Sequence, residues 1–154
     1  MPDLSQEVAA TSRYGGVRPE LFYYPIKELP KSSGPTEGLM MDSVSLTSLA
    51  AEQLTAAREE AHSGRASLTL HGGHTHELRQ TVVALLAGHE LSEHDSPGQA
   101  SLQVLQGHVH LSAGDDMWDG KTGDYVVIPP QRHSLQAVDD SVVMLTVFKS
   151  LPSV

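Results

Sequence analysis

The chain has 154 residues, enough for one domain with a sizeable apolar core. Its net charge of −9, with ten basic residues scattered from Arg13 to Lys149, argues against a surface that binds nucleic acids or anionic membranes. The lack of cysteine excludes disulfides, thiolate zinc sites and cysteine nucleophiles. Neither a secretory signal nor the ~20-residue apolar stretch of a membrane helix is visible, so we expect a cytoplasmic protein.

Residues 1–43 form the first segment, and their composition differs from that of the rest of the chain. The segment is rich in Pro, Gly and Ser and contains the apolar cluster Leu21-Phe22-Tyr23-Tyr24. It lacks helical periodicity, yet the cluster is too apolar to remain in water. We therefore expect an extended arm that docks on its own domain or on a second copy, and hence a homodimer. A disordered arm is the alternative.

Residues 46–62, "LTSLAAEQLTAAREEAH", follow the arm and carry Leu and Ala at helical spacing. This pattern predicts one amphipathic helix with a thin apolar face. Ser48 is the predicted N-cap, and Gly64 is the predicted stop signal.

Short segments that favour β-strands fill the chain from residue 66 to residue 149. They are separated by Gly, Pro, Asp or Ser, a pattern typical of an all-β sandwich or barrel. Gly114-Asp115 and Asp119-Gly120 are predicted turns. We expect the sequence between them to be a loop in which Trp118 either caps the barrel or contacts another subunit. The eight predicted strands are "SLTLH", "RQTVVALLAG", "HELSEH", "ASLQVLQG", "HVHLSA", "DYVVIPP", "HSLQAV" and "SVVMLTVFK".

Glycine and histidine recur at fixed spacings in two places along these strands. Gly88 is followed after five residues by His94, and Gly107 closes that segment; Gly123 is followed after five residues by Pro129 and then by His133. These spacings resemble the two motifs of a small single-domain cupin. The resemblance implies a cupin-type jelly-roll barrel, or double-stranded β-helix, over residues 66–149 of a domain at 44–154. It also implies pairing into a homodimer.

The same resemblance bears on metal binding, because cupin motifs usually supply four metal ligands. The positions of the second histidine and the glutamate hold Ser96 and Ala100, so only His94 and His133 remain as candidate ligands. Three protein ligands are the usual minimum for a catalytic metal. We predict a ligand pocket formed by His94, His133 and Gln99, whose amide oxygen is a weak ligand.

Other histidines and one arginine are weaker candidates. His74 or His76, in the Gly-rich segment "LHGGHTHELRQ", would be a recruited ligand if that loop folds over the barrel mouth; a solvated turn is the alternative. His108 and His110 share a strand face, and we expect them to point outward because Val109 and Leu111 take the apolar positions. We expect Arg132 to form a surface ion pair.

Three functions remain open, and whether the protein is an enzyme is not decided by the sequence. The first is a domain that binds a small molecule in the barrel, with a weak or remodelled metal site. The second is a metal-dependent enzyme of the oxygenase or isomerase type that uses His94, His133, a recruited ligand and Zn, Fe, Mn or Ni. The third is a metal-free isomerase or cyclase in which the two histidines act as acid and base.

Overall fold

The computed structural model describes residues 41–60, 62–96 and 98–153. Residues 1–40 of the predicted arm, with its aromatic cluster, lie outside this part of the chain, so the arm stays a prediction. In the described part, a β-barrel follows one helix, which confirms the all-β fold class. No helix within these ranges has the length and apolar character needed to cross a bilayer.

The helix, α1, spans Leu46–Glu59; it begins at the first residue of the predicted segment 46–62 and ends three residues earlier than predicted. The predicted N-cap Ser48 is wrong: its backbone N–H donates to the Oγ of Ser45, which is the N-cap, at 3.3 Å. The helix stops three residues short of position 62 because the chain then turns back on itself. In that turn the N–H of Gly64, whose φ is +58°, donates to the carbonyl of Glu60.

Nine strands follow within the described residues. Each is short and ends at a turn. Their bounds are β1 Arg65–His71, β2 Leu78–Leu85, β3 Glu90–His94, β4 Gln99–Gln106, β5 His108–Ala113, β6 Asp116–Lys121, β7 Tyr125–Ile128, β8 His133–Ala137 and β9 Ser141–Phe148.

The strands form two antiparallel sheets that enclose a common interior. The five-stranded sheet has the order β1-β2-β9-β4-β7, and the four-stranded sheet has the order β3-β8-β5-β6. Burial alternates along β4, β5 and β8, as expected for strands with one face on a core. The interior is filled by apolar side chains from both sheets, among them Leu91, Leu102, Leu111, Leu135 and Val143.

A second apolar cluster fixes α1 to the outside of the five-stranded sheet. Leu54 and Ala57 of the helix pack there against Leu68, Val82 and Val142, which lie on β1, β2 and β9. The thin Ala/Leu face of the helix therefore covers part of the sheet, as its composition predicts.

Two turns were predicted near the hairpin β5–β6, and the structure contains only one of them. Gly114-Asp115 is the turn, as predicted, and it joins Ala113 to Asp116 in register. The predicted turn at Asp119-Gly120 is wrong, because both residues lie inside β6. The Trp118 ring lies over Gly120, so that a Cβ added there would be 2.2 Å from a ring carbon. Glycine is thus required for close packing rather than for a turn, and Trp118 packs on the barrel core.

Candidate functional site

Two histidines from neighbouring strands meet where β3 ends and β8 begins. His94 and His133 are partners in the β3–β8 register, and their ring centroids are 4.3 Å apart with the planes at 70°. A regular strand would put His94 and the buried Leu91, three residues apart, on opposite faces. A register shift between them returns His94 to the face of Leu91. We call these two residues the inner pair.

Both rings of the inner pair are held by the backbone in the same way. The Nδ1–H of His94 donates to the carbonyl of Ser92 at 2.8 Å, and the Nδ1–H of His133 donates to the carbonyl of Gln131 at 2.9 Å. A carbonyl can only accept, so the proton of each neutral ring lies on Nδ1. Each Nε2 therefore carries a lone pair, and neither Nε2 has a hydrogen-bond partner among the described residues.

Burial controls the charge of His94, one member of the inner pair. The His133 side of the pair is almost closed to solvent, since that residue is only 4% exposed. Burial is the main cause that lowers the pKa of His94, and the electrostatic interactions with His133 and with Arg132 lower it further. The hydrogen bond to the Ser92 carbonyl and the charge of Asp95 act in the opposite direction but do not compensate. His94 is therefore neutral near neutral pH.

Arg132 closes one side of the barrel mouth by pairing with acidic residues, as expected. Its Nη1 donates to Asp95 at 3.3 Å, and its Nε lies 3.8 Å from a Glu93 carboxylate oxygen. An open groove of about 840 Å³ begins at Asp95 and Arg132 and runs over the outer face of β4 and β7. Neither histidine lines this groove, but it adjoins the inner pair through the residues next to each histidine.

The structure does not bring the other predicted site residues to the inner pair. Gln99 is exposed and precedes Ala100, which faces the interior, so the Gln99 side chain points out of the barrel and lines the groove. His74 and His76 are exposed in the loop between β1 and β2. The ring of His76 contacts that of His71, with centroids 4.7 Å apart.

The inner pair alone does not fit a resident metal ion. The two vacant motif positions supply no ligand: Ser96 Oγ donates to the carbonyl of Gly98, and Ala100 has no donor atom. Across residues 41–60, 62–96 and 98–153, no third His, Asp or Glu ligand atom joins the pair within 4.8 Å. Two imidazoles are fewer than the three ligands that a catalytic site normally has. No step of chemistry is therefore assigned to a metal at this position.

One group of three such ligand atoms does occur in the same ranges, on the outside of the barrel, and it consists of His108, His110 and Asp119. The two histidines face outward as predicted, but Asp119 was not predicted to join them, because the sequence around it was expected to be a loop. A two-residue hairpin turn at Gly114-Asp115 pairs Ala113 with Asp116, and the same register pairs His110 with Asp119. The turn that was predicted correctly therefore contained the information needed to find Asp119.

No protein-family model matches the sequence, and no curated protein does. The fold, by contrast, is similar to that of solved structures. A conserved protein of unknown function from Streptococcus pyogenes is 28% identical, with a TM-score of 0.54 over 59% of this chain and 79% of that one. A cupin superfamily protein from Desulfitobacterium hafniense is 16% identical, with a TM-score of 0.52 over 56% of this chain and 78% of that one.

The chain has the cupin fold. This confirms the resemblance of the two glycine–histidine motifs to cupins. The salicylate 1,2-dioxygenase of Pseudoaminobacter salicylatoxidans shares the fold: it is 21% identical, with a TM-score of 0.56 over 66% of this chain and 32% of that one. Because cupin-fold proteins differ widely in chemistry, the likeness establishes the fold, and the function must be argued from the site.

Proposed function

We propose that this cupin-fold domain binds a small uncharged molecule at the barrel mouth, through hydrogen bonds to the Nε2 atoms of His94 and His133. The observation that carries the proposal is the Nε2 of His133, a polar atom in a residue only 4% exposed that has no hydrogen-bond partner among the described residues. A buried polar group without a hydrogen-bond partner lowers the stability of the folded state by about 1–3 kcal/mol. Such groups are rare in folded proteins, and a binding role is one explanation for them.

The protonation of the ring nitrogens in the inner pair determines which hydrogen-bonding groups a ligand must carry. Both Nε2 atoms are acceptors, because both protons are held on Nδ1 by backbone carbonyls. A ligand that uses both must offer two neighbouring donors. Burial lowers the pKa of His94, so that ring does not carry the positive charge that would favour an anion. The ligand class is therefore an uncharged molecule with two adjacent hydroxyl groups.

The surroundings of the inner pair are consistent with a ligand of this kind. The only cationic side chain described at the rim, Arg132, is paired with Asp95 and Glu93, which leaves little charge to attract an anion. The adjoining groove is lined in part by Tyr125 and Phe148, which offer apolar surface to the remainder of a ligand. The metal-dependent and acid–base alternatives remain predictions without a third ligand or a substrate to support them.

Binding is tested with a donor-bearing probe and a matched probe that lacks donors. The untagged chain, in chelator, is titrated with cis-1,2-cyclohexanediol and catechol, and in parallel with 1,2-dimethoxybenzene, which cannot donate. Imidazole NMR signals of the two histidines report binding. We expect the diols to shift both signals and the ether to shift neither.

Two variants control this titration. His133→Phe keeps a ring of similar size without Nε2, and it should lose the response to diols. His110→Ala removes a histidine on the outer face and should keep it. Diols that leave both imidazoles unshifted, or that bind His133→Phe as well as the parent, would contradict the proposal.

A further inference from the structure

Three side chains that can ligate a metal converge on the outer face of the four-stranded sheet. His108 and His110 point outward because Val109 and Leu111, between and beyond them, are buried in the barrel. On the neighbouring strand β6, Asp119 is the register partner of His110. We call His108, His110 and Asp119 the outer cluster.

Packing inside the barrel fixes the direction of Asp119. The Trp118 ring packs on the core and covers Gly120, so β6 cannot rotate without losing that contact. Successive residues of a strand point to opposite faces, and Asp119 therefore faces solvent with 52% of its side chain exposed. The outer cluster thus rests on two rigid, paired strands rather than on loops.

The three ligand atoms are already close together. Asp119 Oδ1 lies 2.5 Å from His108 Nε2 and 2.6 Å from His110 Nε2, and all three atoms lie within 4.8 Å of one another. The Nε2 of His108 is in hydrogen-bond contact with the Asp119 carboxylate. An ionised carboxylate can only accept, and each ring therefore presents Nε2–H to it.

We propose that the outer cluster is a binding site for a divalent cation of the zinc class. Two imidazole nitrogens and one carboxylate oxygen are a ligand set that suits Zn²⁺, and three protein ligands leave a fourth position for water. This site is separate from the inner pair, and it does not depend on the proposed function of the barrel.

The geometry requires only a small change on binding. Ligand atoms that share one tetrahedral zinc at ~2.0–2.1 Å lie about 3.3 Å apart. Each nitrogen–oxygen distance in the outer cluster must therefore open by about 0.8 Å. The exposed side chain of Asp119 can provide this movement, while the histidines stay on β5.

Binding of the cation also changes the protonation of the two rings. The metal takes the Nε2 lone pair, so the proton of each neutral ring must move from Nε2 to Nδ1. The cationic residue in register with the cluster is Lys121, opposite His108, and the residue opposite His110 on β8 is the uncharged Gln136. The net charge of the chain, −9, favours a cation at this surface.

The test uses the full, untagged chain after treatment with chelator and desalting. Zn²⁺ is titrated in competition with a chromophoric chelator, and imidazole NMR identifies the rings that change tautomer. We expect about one Zn²⁺ per chain. Loss of an outer-sphere partner costs about 10–100-fold in metal affinity, so His110→Ala and Asp119→Asn, which each remove a direct ligand, should weaken binding at least that much.

Two matched controls complete the test. His62→Ala removes an exposed histidine near the helix end, and His133→Phe removes one of the inner pair; both should bind Zn²⁺ like the parent. Circular dichroism confirms that each variant is folded. No measurable binding by the parent, or binding unaffected by His110→Ala and Asp119→Asn, would overturn the proposal. If His133→Phe alone lost Zn²⁺ binding, the metal would be bound at the inner pair, and the proposal for the outer cluster would be overturned as well.

Discussion

The two histidine pairs of the barrel are similar in spacing but differ in the ring nitrogen that the protein holds. The ring centroids are 4.3 Å apart in the inner pair and 5.3 Å apart between His108 and His110. Backbone carbonyls hold Nδ1 in the inner pair, whereas the Asp119 carboxylate accepts from Nε2 in the outer cluster. The inner pair therefore offers two lone pairs to a donor ligand, whereas each ring of the outer cluster must move its proton from Nε2 to Nδ1 before it can bind a cation.

The difference shows that residue type and spacing do not fix the role of a histidine. Both members of the inner pair are oriented by a backbone carbonyl two residues earlier in the chain. His108 and His110 depend instead on a carboxylate from another strand. The partner of one ring nitrogen thus determines what the other nitrogen can bind.

The largest expected effect comes from Leu135→Ala, because Leu135 lies in the core on β8, the strand between β3 and β5. Leu135 is 3% exposed and is in register with Leu91 on β3 and Leu111 on β5. Its truncation should lower the free energy of unfolding by about 2–5 kcal/mol. Urea unfolding measures this. The next residue on the strand, the exposed Gln136, is the control: Gln136→Ala should stay within about 0.5 kcal/mol of the parent. Equal effects would show that β8 does not pack as described.

A smaller effect on stability, which arises from the packing of β6, is expected for Gly120→Ala. The added Cβ would meet the Trp118 ring, which must shift and turn β6 with it. We expect a loss of about 1–3 kcal/mol and a change in the fluorescence of Trp118, the only tryptophan. Ser112→Ala, on the same hairpin but facing outward, should change neither. An unaltered tryptophan spectrum in Gly120→Ala would contradict this packing.

The pH dependence of stability reports on the burial of His94. His94 has a lowered pKa in the folded state, whereas in the unfolded chain its pKa is the ordinary 6.5. As the pH falls through 6.5, the unfolded state takes up the proton first, so the free energy of unfolding decreases. Below the pKa of His94 in the folded state, both states carry the proton, and His94 causes no further decrease in the free energy of unfolding. Urea titrations from pH 8 to pH 5 in chelator should show less decrease in His94→Gln than in the parent; an identical profile would exclude a lowered pKa.

The smallest effect is expected at the rim. Arg132 pairs with Asp95 and Glu93, but all three side chains are about half exposed or more. Such pairs contribute roughly 0.2–1 kcal/mol, and salt screens them. Arg132→Ala should therefore lower the free energy of unfolding by less than about 1 kcal/mol, and the difference should shrink in high salt. A larger, salt-independent loss would mean that the arginine has a packing role.

The sequence predicted the barrel because its strands are short, evenly spaced and separated by turn residues. It also predicted both members of the inner pair, since the two glycine–histidine spacings of the cupin motifs survive in the chain. Asp119 was missed for a physical reason: Asp-Gly is a common turn pair, and only the Trp118 ring over Gly120 makes it part of a strand.

Two other errors have local causes. Serine is a favourable N-cap residue, so Ser45 and Ser48 both fit by residue type. The sequence does not show at which of them the helix begins; in the structure Ser45 accepts from the backbone N–H of Ser48. Gln99 was assigned to the pocket by its closeness in sequence to a motif position. Strand alternation sends its side chain to the opposite face from Ala100. The register shift that brings His94 to the interior has no sequence signal in β3.

The most direct test of the account is the tautomer of each of the four rings, measured by long-range ¹H–¹⁵N NMR on metal-free, ligand-free protein above pH 7. We predict that His94 and His133 carry their proton on Nδ1, whereas His108 and His110 carry it on Nε2. Addition of Zn²⁺ should then move the proton to Nδ1 in the outer cluster alone. Four rings in the same Nε2–H form, unchanged by Zn²⁺, would contradict the assignment of both sites.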